Sequence, residues 1–543
     1  MPSTEEPAAT GPGRSGPGRH WSTTVPATGL GALLLGLVVF VLTQARVYGR
    51  TYDELMQDDY GKSTLAWYLS LGHDRSFLQF PSYEQVPQHG PFADTIIAIG
   101  ERFTGEQWTT RSIMAGLFAV LGVLAIALCG YELGGWWMAL LSAIGLALYP
   151  RYFGAMFNNS KDLPLAGAMA LVLWLVLRLM RRWDDPGWVR RSVLVGVALG
   201  AATAIRVVAL LWFVPLLVLA AGWWWRRRRR AARPPWRPAL RRQVLAGLLI
   251  GGTTWVTTAA LWPYVLLSPV SNLIDSIRSN ARYPWDVPIP FNGQMVPATH
   301  LPAWYVPEWL VIGSPLHIVV LGAVGIGVTG YPLLRRRVLD ARYGLVLLTV
   351  AVPVALLAGL HSTVYNGLRH FMFTVPGLVL LAALALVRLV QARREVTIAA
   401  IGLALFGQAE AAISMARLHP YEYVYFSPVV GGFAGAVGRY ELDYWGECDK
   451  AAAEWLAAHA DQLGMSPDRP VTVAANAIET EWLQYLPHDR FTEADPGAAP
   501  DVYIWSMRER DADRWPTYRT VHEIRIEDYP ACIVQVTTRL PRR

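Results

Sequence analysis

Residues 113–129, IMAGLFAVLGVLAIALC, and residues 136–150, WWMALLSAIGLALYP, decide the fold class of this chain. Both runs are almost free of polar side chains, and the short segment GYELGG separates them. A helix needs about 20 mainly apolar residues to cross the hydrocarbon core of a bilayer. Two such runs in succession therefore predict two consecutive membrane-spanning helices.

The same pattern extends over most of the chain. Of the 543 residues, 53% are hydrophobic and 16% are charged, which is too little charge to cover a soluble enzyme of this length. Many of the 23 Trp and 23 Tyr residues stand at the edges of apolar runs, where an aromatic belt would lie. We predict a polytopic α-helical membrane protein with about eleven transmembrane helices, at 28–45, 113–129, 136–150, 163–180, 192–205, 207–225, 243–267, 309–334, 343–360, 371–389 and 396–415.

Arginine-rich segments fall between these spans in a regular order. With a cytoplasmic N-terminus, four cytoplasmic loops are Arg-rich, as the positive-inside rule requires: 181–191, 226–242, 335–342 and 390–395. The net charge of +7 thus indicates topology, and we exclude nucleic acid as a partner because the basic residues are not interleaved with stacking aromatics on a polar surface. The run Arg226–Arg230 is either an anionic-lipid site or an orientation signal, and we favour the second.

The two ends of the chain differ from the membrane part at 28–415. Residues 1–27 are rich in Pro, Gly and Ser and should form a disordered cytoplasmic N-terminus. In residues 416–543 the charge rises and the spans stop, and a helix at about 450–463 precedes segments of alternating polarity. These segments are 471–477, 501–507 and 524–537. We predict a small extracytoplasmic α/β domain.

Two further expectations concern the outside of the membrane. The loop 46–112 contains apolar stretches too short to span, and it should fold as amphipathic helices on the membrane surface. Cys448 and Cys532 both fall in the C-terminal domain and could pair in an oxidising compartment. We expect two independent free thiols.

Candidate functional residues lie at the outer ends of the spans. The first outside loop begins with Asp53 and Glu54, and Asp162 stands at the mouth of the fourth span. Acidic residues at such a depth are costly unless they serve a function. Only three of the 48 Lys and Arg residues are Lys, and two of them, Lys62 and Lys161, stand beside these acidic motifs.

A third set of polar residues lies in the loop 361–370, which contains His361, Tyr365, Arg369 and His370. Arg206 adds a lone charge between two apolar runs, and its partner is either a buried carboxylate or a lipid phosphate. Carboxylates and cations at one membrane face suit displacement at a sugar carbon: a carboxylate accepts the proton of an acceptor hydroxyl, and cations stabilise the departing phosphate.

These motifs resemble those of a known family. A first span followed by Asp53-Glu54, then surface helices, and an Asp before the fourth span in NNSKD (158–162) is similar to the protein O-mannosyltransferase and aminoarabinose transferase group, which are GT-C-fold glycosyltransferases. The resemblance covers roughly residues 28–415. The segments HPYEY (419–423) and DYWG (443–446) are similar to a stretch in bacterial members.

The resemblance implies an inverting transfer from a polyprenyl-phosphate sugar to a lipid, glycan or protein acceptor, in contact with membrane lipids, on the outer face of a bacterial plasma membrane. It implies that Asp53 is the base, that Glu54 supports it, and that Asp162 positions the acceptor or a divalent metal ion. Metal dependence varies in this fold, so the resemblance fixes no cofactor. The candidates that it implies for phosphate contacts are Lys62, Lys161, Arg206, Arg369 and His370.

Three alternatives stay open on the sequence, and one of them is a non-catalytic membrane assembly protein whose outer domain binds a partner. A transporter or flippase would favour half-repeats and charges at mid-membrane, whereas no repeat is visible and the acids stand at span ends. A ligase of the same fold would transfer a whole oligosaccharide from a diphosphate carrier. Tyr283, Trp285 and His300 in the loop 268–308 are either sugar contacts or loop-packing residues.

Overall fold

The computed structural model describes residues 23–81, 85–228, 236–281, 283–334, 340–360, 362–465, 469–476, 481–507 and 514–538. Most of the predicted disordered N-terminus and His361 lie outside these residues, as do Arg229 and Arg230 of the arginine run. The helices are α1 Thr24–Gln44, α2 Glu54–Leu69, α3 Phe92–Thr104, α4 Trp108–Ala147, α5 Pro150–Gly154, α6 Asp162–Arg181, α7 Trp188–Thr203, α8 Phe213–Arg228, α9 Trp236–Leu261, α10 Pro263–Leu267, α11 Ser271–Ala281, α12 Tyr305–Ile312, α13 Leu316–Leu334, α14 Ala341–Leu360, α15 Val375–Leu389, α16 Arg394–Leu418, α17 Gly432–Ala436 and α18 Cys448–His459.

Eight helices in the described part of the chain are long and apolar enough to cross a membrane. One of them, α4, is two helices folded back on each other, because its backbone is not helical at Gly134 and Gly135. Gly135 has a φ of 80°, which glycine adopts without steric cost. Together with α7 and α13, each of the eleven predicted spans has a helical counterpart, and the polytopic helical fold is confirmed.

Two predicted spans are wrong in their extent. The run 243–267 is broken at Trp262, because α9 ends at Leu261 and α10 begins at Pro263. The run 309–334 is not one helix, because α12 ends at Ile312 and α13 begins at Leu316. Pro315 disfavours helical backbone at Ser314, so the chain breaks between the two helices. The predicted span 207–225 likewise begins with a 3-10 helix, Val207–Trp212, before α8 continues it.

The centre of the helical bundle is formed by α4, α6 and α15. In the most apolar stretch of α15, 83% of the residues are buried, against 17% in α16 and 22% in α1. Helices that are apolar on all sides but mostly exposed suit a bilayer as their solvent. The span ends that carry the candidate residues therefore belong to the interior of the bundle, and α1, α8, α9, α14 and α16 form its outer wall.

The C-terminal region forms a five-stranded sheet with α18 packed against it, as the alternating sequence segments predicted. The sheet order is β4-β3-β5-β7-β6, with β3 parallel to β4 and β5, and β7 antiparallel to β5 and β6. The predicted segment 524–537 covers the end of one strand and a whole second strand of a hairpin. The strands are β1 Pro288–Phe291, β2 Gln294–Pro297, β3 Val471–Ala475, β4 Phe491–Glu493, β5 Val502–Ser506, β6 Arg519–Ile526 and β7 Tyr529–Val536.

The two C-terminal cysteines form a disulfide, which corrects the expectation of two free thiols. Cys448 opens α18 and Cys532 lies in β7, with their Cα atoms 5.8 Å apart. Their positions are 84 residues apart in the chain, so only the packing of α18 on the sheet shows that they meet. The bond ties the sheet to the segment that immediately precedes α18.

Candidate active site

Five of the residues singled out in the sequence come together at one end of the bundle. Asp53 stands immediately before α2, and Arg369 begins a 3-10 helix that leads into α15. Lys161 and Asp162 stand at the start of α6, and Arg206 precedes the 3-10 helix Val207–Trp212. Since these residues stand at the starts of four different elements, with Lys161 and Asp162 together at α6, tertiary packing is what assembles the cluster.

Arg369 joins the two carboxylates. Its Nε lies 2.9 Å from Oδ2 of Asp162, and its Nη2 contacts Oδ2 of Asp53. Arg206 contacts the other oxygen of Asp162, and the Lys161 Nζ lies 3.7 Å from Oδ2 of Asp53. The side chains of Asp162 and Arg369 are 3% and 5% exposed, whereas that of Asp53 is 25% exposed. Asp53 is thus the carboxylate that an incoming molecule can reach.

The cluster carries an excess of positive charge. Arg206, Arg369 and Lys161 contribute three cations and Asp53 and Asp162 contribute two anions, which leaves one positive charge for a further anion. Burial alone would raise the pKa of the Asp53 carboxyl, but Arg369 and then Lys161 more than offset it and hold that pKa below its usual range. Asp53 is therefore ionised at neutral pH.

The segment NNSKD is held by side chains that the sequence reasoning quoted but did not single out. The side-chain Oδ1 of Asn159 accepts a 2.7 Å hydrogen bond from the Asp162 backbone N–H, and its Nδ2 donates to Asp162 Oδ2 at 3.2 Å. The Ser160 hydroxyl donates to Asp94 at 2.6 Å and accepts from Arg111 at 3.0 Å. These bonds fix the entry of α6 and with it the direction of the Asp162 carboxylate.

Glu54 lies beside Asp53 in the sequence but faces away from the cluster. Its Oε2 accepts a 2.9 Å hydrogen bond from the Thr51 backbone N–H, and its Oε1 lies 3.6 Å from Arg111. Burial raises the pKa of Glu54 to about 7, with Arg111 offsetting part of the effect. Glu54 therefore anchors the turn that presents Asp53.

This buried glutamate predicts a pH-dependent stability. A carboxyl whose pKa is raised from 4.5 to about 7 on folding stabilises the fold fully below pH 4.5 and loses that contribution as the pH rises towards 7. At about 1.4 kcal/mol per pKa unit, the wild type should lose about 3 kcal/mol relative to Glu54→Gln over this range. Thermal unfolding of both proteins in detergent from pH 4.5 to 8 measures the difference.

The exposed Glu395→Gln, at the start of α16, is the matched control. Its melting temperature should keep a constant offset from the wild type over the same range. A constant offset for Glu54→Gln would show that Glu54 titrates alike in the folded and unfolded protein and would contradict the prediction.

The structure does not bring Lys62 to the cluster. Its Nζ lies 2.6 Å from Asp58 and 3.8 Å from Glu101, and its side chain is 44% exposed. Lys62 lies more than two turns beyond Asp53 along α2, so the two lysines that flanked acidic motifs in the sequence have separate surroundings. Lys161 is the lysine of the site, and Lys62 belongs to a second, buried acidic group around Arg111.

Aromatic side chains line one side of the cluster. The ring of His370 stands edge-on to that of Tyr365, with 4.6 Å between the ring centres. The ring of Trp285 stacks on that of Tyr365, with 5.1 Å between the ring centres. The centre of the Tyr283 ring lies 6.4 Å from that of Tyr365 and 6.1 Å from that of His89. Tyr283 and Trp285 are thus at the site, while His300 hydrogen-bonds with Thr299 on the exposed side of the same loop.

His89 is a site residue that the sequence reasoning missed. Burial and, to a smaller extent, Lys161 and Arg206 lower its pKa to about 3, so the ring is neutral at physiological pH. The one signal in the sequence is the glycine that follows it, because a Cβ on Gly90 would overlap the carbonyl oxygen of Ala204. This close approach places His89 beside the start of the Arg206 segment.

The C-terminal region contributes two side chains to the surroundings of Arg369. The ring of Trp445 lies 5.4 Å from the Arg369 guanidinium. Glu441 accepts hydrogen bonds from the backbone N–H groups of Asn366 at 3.0 Å and Gly367 at 3.1 Å, which fixes the turn before Arg369. The membrane part and the C-terminal part therefore share one site.

The residues at the cluster do not suit a metal ion, which the resemblance left open. The carboxylates of Asp53 and Asp162 both contact guanidinium groups, so these cations already balance the charge that an ion would balance. Among the described residues, the one group with suitable spacing is Cys448, Asp449 and Cys532. The disulfide occupies both of its sulfur atoms.

The chain is similar to known proteins over part of its length. No curated protein sequence matches it. The crystal structure of ArnT from Cupriavidus metallidurans bound to undecaprenyl phosphate is 15% identical, with a TM-score of 0.47, and the match covers 95% of this chain and 100% of that one. The structure of the oligosaccharyltransferase AglB from Archaeoglobus fulgidus, in complex with an inhibitory peptide and a dolichol-phosphate, is 13% identical, with a TM-score of 0.49. That match covers 90% of this chain and 70% of the AglB chain.

A family model matches a segment that carries three of the five cluster residues. Residues 88–240 match the model described as dolichyl-phosphate-mannose-protein mannosyltransferase. This segment contains His89, Lys161, Asp162 and Arg206. Through it the chain is similar to the dolichyl-phosphate-mannose-protein mannosyltransferases, and the protein is a membrane-embedded glycosyltransferase.

Proposed function

We propose that the protein transfers one sugar from a polyprenyl-phosphate carrier to an acceptor hydroxyl, with inversion at the anomeric carbon. The observation that carries the proposal is the pair of carboxylates joined by Arg369 within a cluster that has one positive charge in excess. A polyprenyl-phosphate sugar is a phosphodiester with one negative charge, which matches that excess. The described name of the matching family supports a donor of this class.

The cations act on the leaving group. When the bond between the anomeric carbon and the phosphate oxygen breaks, its electron pair stays on the phosphate, which gains a second negative charge. Arg206, Arg369 and Lys161 face the position where this charge develops, and in a site shielded from water they stabilise it more strongly than in solution.

Asp53 acts on the acceptor. The acceptor oxygen forms the new bond to the anomeric carbon from the face opposite the phosphate, and its proton passes to the Asp53 carboxylate. Arg369 and Lys161 hold this carboxylate as a weak base. A bound phosphate competes for the same cations, so donor binding itself should raise the basicity of Asp53.

Apolar side chains near the cluster suggest a route for the carrier chain. A narrow groove between α6, α8, α14 and α15 is lined by Leu211, Trp212, Pro353, Phe373 and Pro376, among other apolar residues. Phe373 lies in the same 3-10 helix as Arg369, about 8 Å further along its axis at about 2 Å per residue. A phosphate on Arg369 would therefore place the start of its polyprenyl chain near these side chains.

The arginine-rich loops support one orientation in the membrane. By the positive-inside rule these loops are cytoplasmic, which supports a cluster and a C-terminal domain on the outer side of a bacterial plasma membrane. Among the described residues, the acids of the cluster stand at span ends, which favours surface chemistry over the transport alternative.

A transfer assay tests the proposal. Purified protein is incubated with a panel of radiolabelled polyprenyl-phosphate sugars, beginning with mannose, and with lipid, glycan and peptide acceptors. We expect one donor to release its sugar to an acceptor with inverted anomeric configuration. Folded protein that turns over no monosaccharide donor but does turn over a diphosphate-linked oligosaccharide would contradict the proposal in favour of the ligase.

A further inference from the structure

A second cavity lies between α6, α8 and α9 at the arginine-rich end of the bundle, opposite the catalytic cluster. Its volume is about 650 Å³, within the range of small-molecule binding sites. Its walls are apolar and include Leu179, Met180, Leu216, Leu219 and Ile250. Polar groups occur at one end of it, where Trp183, Asp184 and Gln243 line the opening.

An arginine next to the cavity, Arg242, has incomplete hydrogen bonds: it precedes the lining residue Gln243 in the chain and contacts the ring of the lining residue Trp183. Arg242 lies between the rings of Trp183 and Trp188, with its guanidinium 5.0 and 5.1 Å from their centres. Its Nε and Nη2 are buried, and no hydrogen-bond partner for them lies in the described part of the chain. Its one carboxylate neighbour is Asp184 at 3.7 Å, a side chain that is 97% exposed.

A second buried polar atom at this cavity also lacks a hydrogen-bond partner. The Oε1 of Gln243 is buried and has no hydrogen-bond partner among the described residues. A buried donor or acceptor without a partner costs free energy, so such groups in a native protein point to a missing partner. The unpaired donors of Arg242 require an acceptor such as a phosphate oxygen, whereas the unpaired oxygen of Gln243 requires a donor such as a headgroup hydroxyl.

The surroundings identify the partner as a lipid. The walls α8 and α9 are mostly exposed helices, with 22% and 28% of their apolar stretches buried, so the cavity opens among helices that face the bilayer. Arg241 and Arg242 at the start of α9 and Arg190 and Arg191 at the start of α7 make this end basic. An apolar cavity below a basic rim complements an anionic headgroup with an acyl chain.

We propose that this cavity binds one anionic phospholipid, with its phosphate on Arg242 and one acyl chain between α6, α8 and α9. The guanidinium fork donates Nε and Nη2 to the phosphate oxygens, which is the pairing that arginine favours. The site is separate from the transfer reaction, because it lies at the other end of the bundle and shares no residue with the cluster.

Native mass spectrometry of the purified protein, titrated with phosphatidylglycerol and with phosphatidylcholine, tests the proposal. We expect tighter binding of phosphatidylglycerol, and about fivefold weaker binding in Arg242→Gln, the effect of one basic residue near an anionic membrane surface. Gly247→Leu fills the cavity, which Gly247 lines, and a Cβ there meets no atom within 4 Å, so the variant should fold and lose the lipid.

Two matched variants control for charge and for bulk. Arg393→Gln removes an exposed arginine just before α16, and Gly252→Leu adds the same side chain in open space on α9 away from the cavity. Both should bind phosphatidylglycerol as the wild type does. Equal affinity for the two lipids, or loss in only one of Arg242→Gln and Gly247→Leu with melting temperatures unchanged, would overturn the proposal.

Discussion

Asp53→Asn should reduce sugar transfer by about 10²- to 10⁴-fold, the range over which a positioned general base contributes. The amide keeps the size of the side chain but cannot accept the proton of the acceptor hydroxyl. The fold should survive, because Arg369 keeps its 2.9 Å bond to Asp162 when Asp53 is neutral. The rate of transfer from the donor found in the panel assay, at saturating acceptor, measures the loss.

Asp59→Asn is the matched control for this variant. Asp59 lies six residues further along the same segment, with its side chain exposed to solvent, so the substitution makes the same chemical change outside the cluster. Its transfer rate should stay within about twofold of the wild type. If Asp53→Asn transferred sugar as fast as Asp59→Asn, Asp53 would not be the base. Asp162 would then be the one other carboxylate of the cluster that could accept the proton.

Arg369→Lys should reduce transfer by about 10²- to 10³-fold although the charge is retained, which is the size of effect seen when one preorganised donor to a developing negative charge is lost. Arg369 reaches Asp162 through Nε and Asp53 through Nη2 at the same time. An ammonium is a single point of charge on a flexible stem and cannot span both carboxylates. The expected signature is a fall in the maximal rate together with weaker donor binding.

Arg388→Lys controls for the exchange itself. Arg388 stands near the opposite end of α15, is exposed, and interacts with the ring of Tyr343 at 5.6 Å. We expect transfer at the wild-type rate from this variant. If Arg369→Lys were equally active, with a normal melting temperature, charge alone would be sufficient and the bridging geometry would have no role in the reaction.

The sequence predicted the membrane architecture well because hydropathy is a local property. Each span needs its own apolar run, and a bilayer offers no water to hydrogen-bond an exposed backbone. The break at Gly313–Pro315 shows where this fails, since α12 and α13 are both apolar and only the proline disturbs the helix between them. The C-terminal helix and strands were visible for the same local reason, apart from the three-residue β4.

The sequence also indicated five members of the cluster, because charged residues beside apolar runs are costly and therefore conspicuous. It could not separate Lys161 from Lys62, which stand beside similar acidic motifs but pair with Asp53 and with Asp58 respectively. Glu54 looked equivalent to Asp53 in the sequence. Because successive residues at the start of a helix point in different directions, the Glu54 side chain contacts Arg111 instead of the cluster. His89 was marked only by the glycine that follows it, and Trp445 only by its place in the segment DYWG (443–446).

By itself, then, the sequence predicted most of the spans and the residues whose charge had to be explained, since each of these depends on neighbours within about twenty positions. The tertiary structure alone decided which charges meet, because Asp53, Asp162, Arg206 and Arg369 are brought together by the packing of span ends far apart in the chain. It also decided that Cys448 and Cys532 are bonded and that Trp445 covers Arg369. Those pairings depend on distances between elements, which no local pattern encodes.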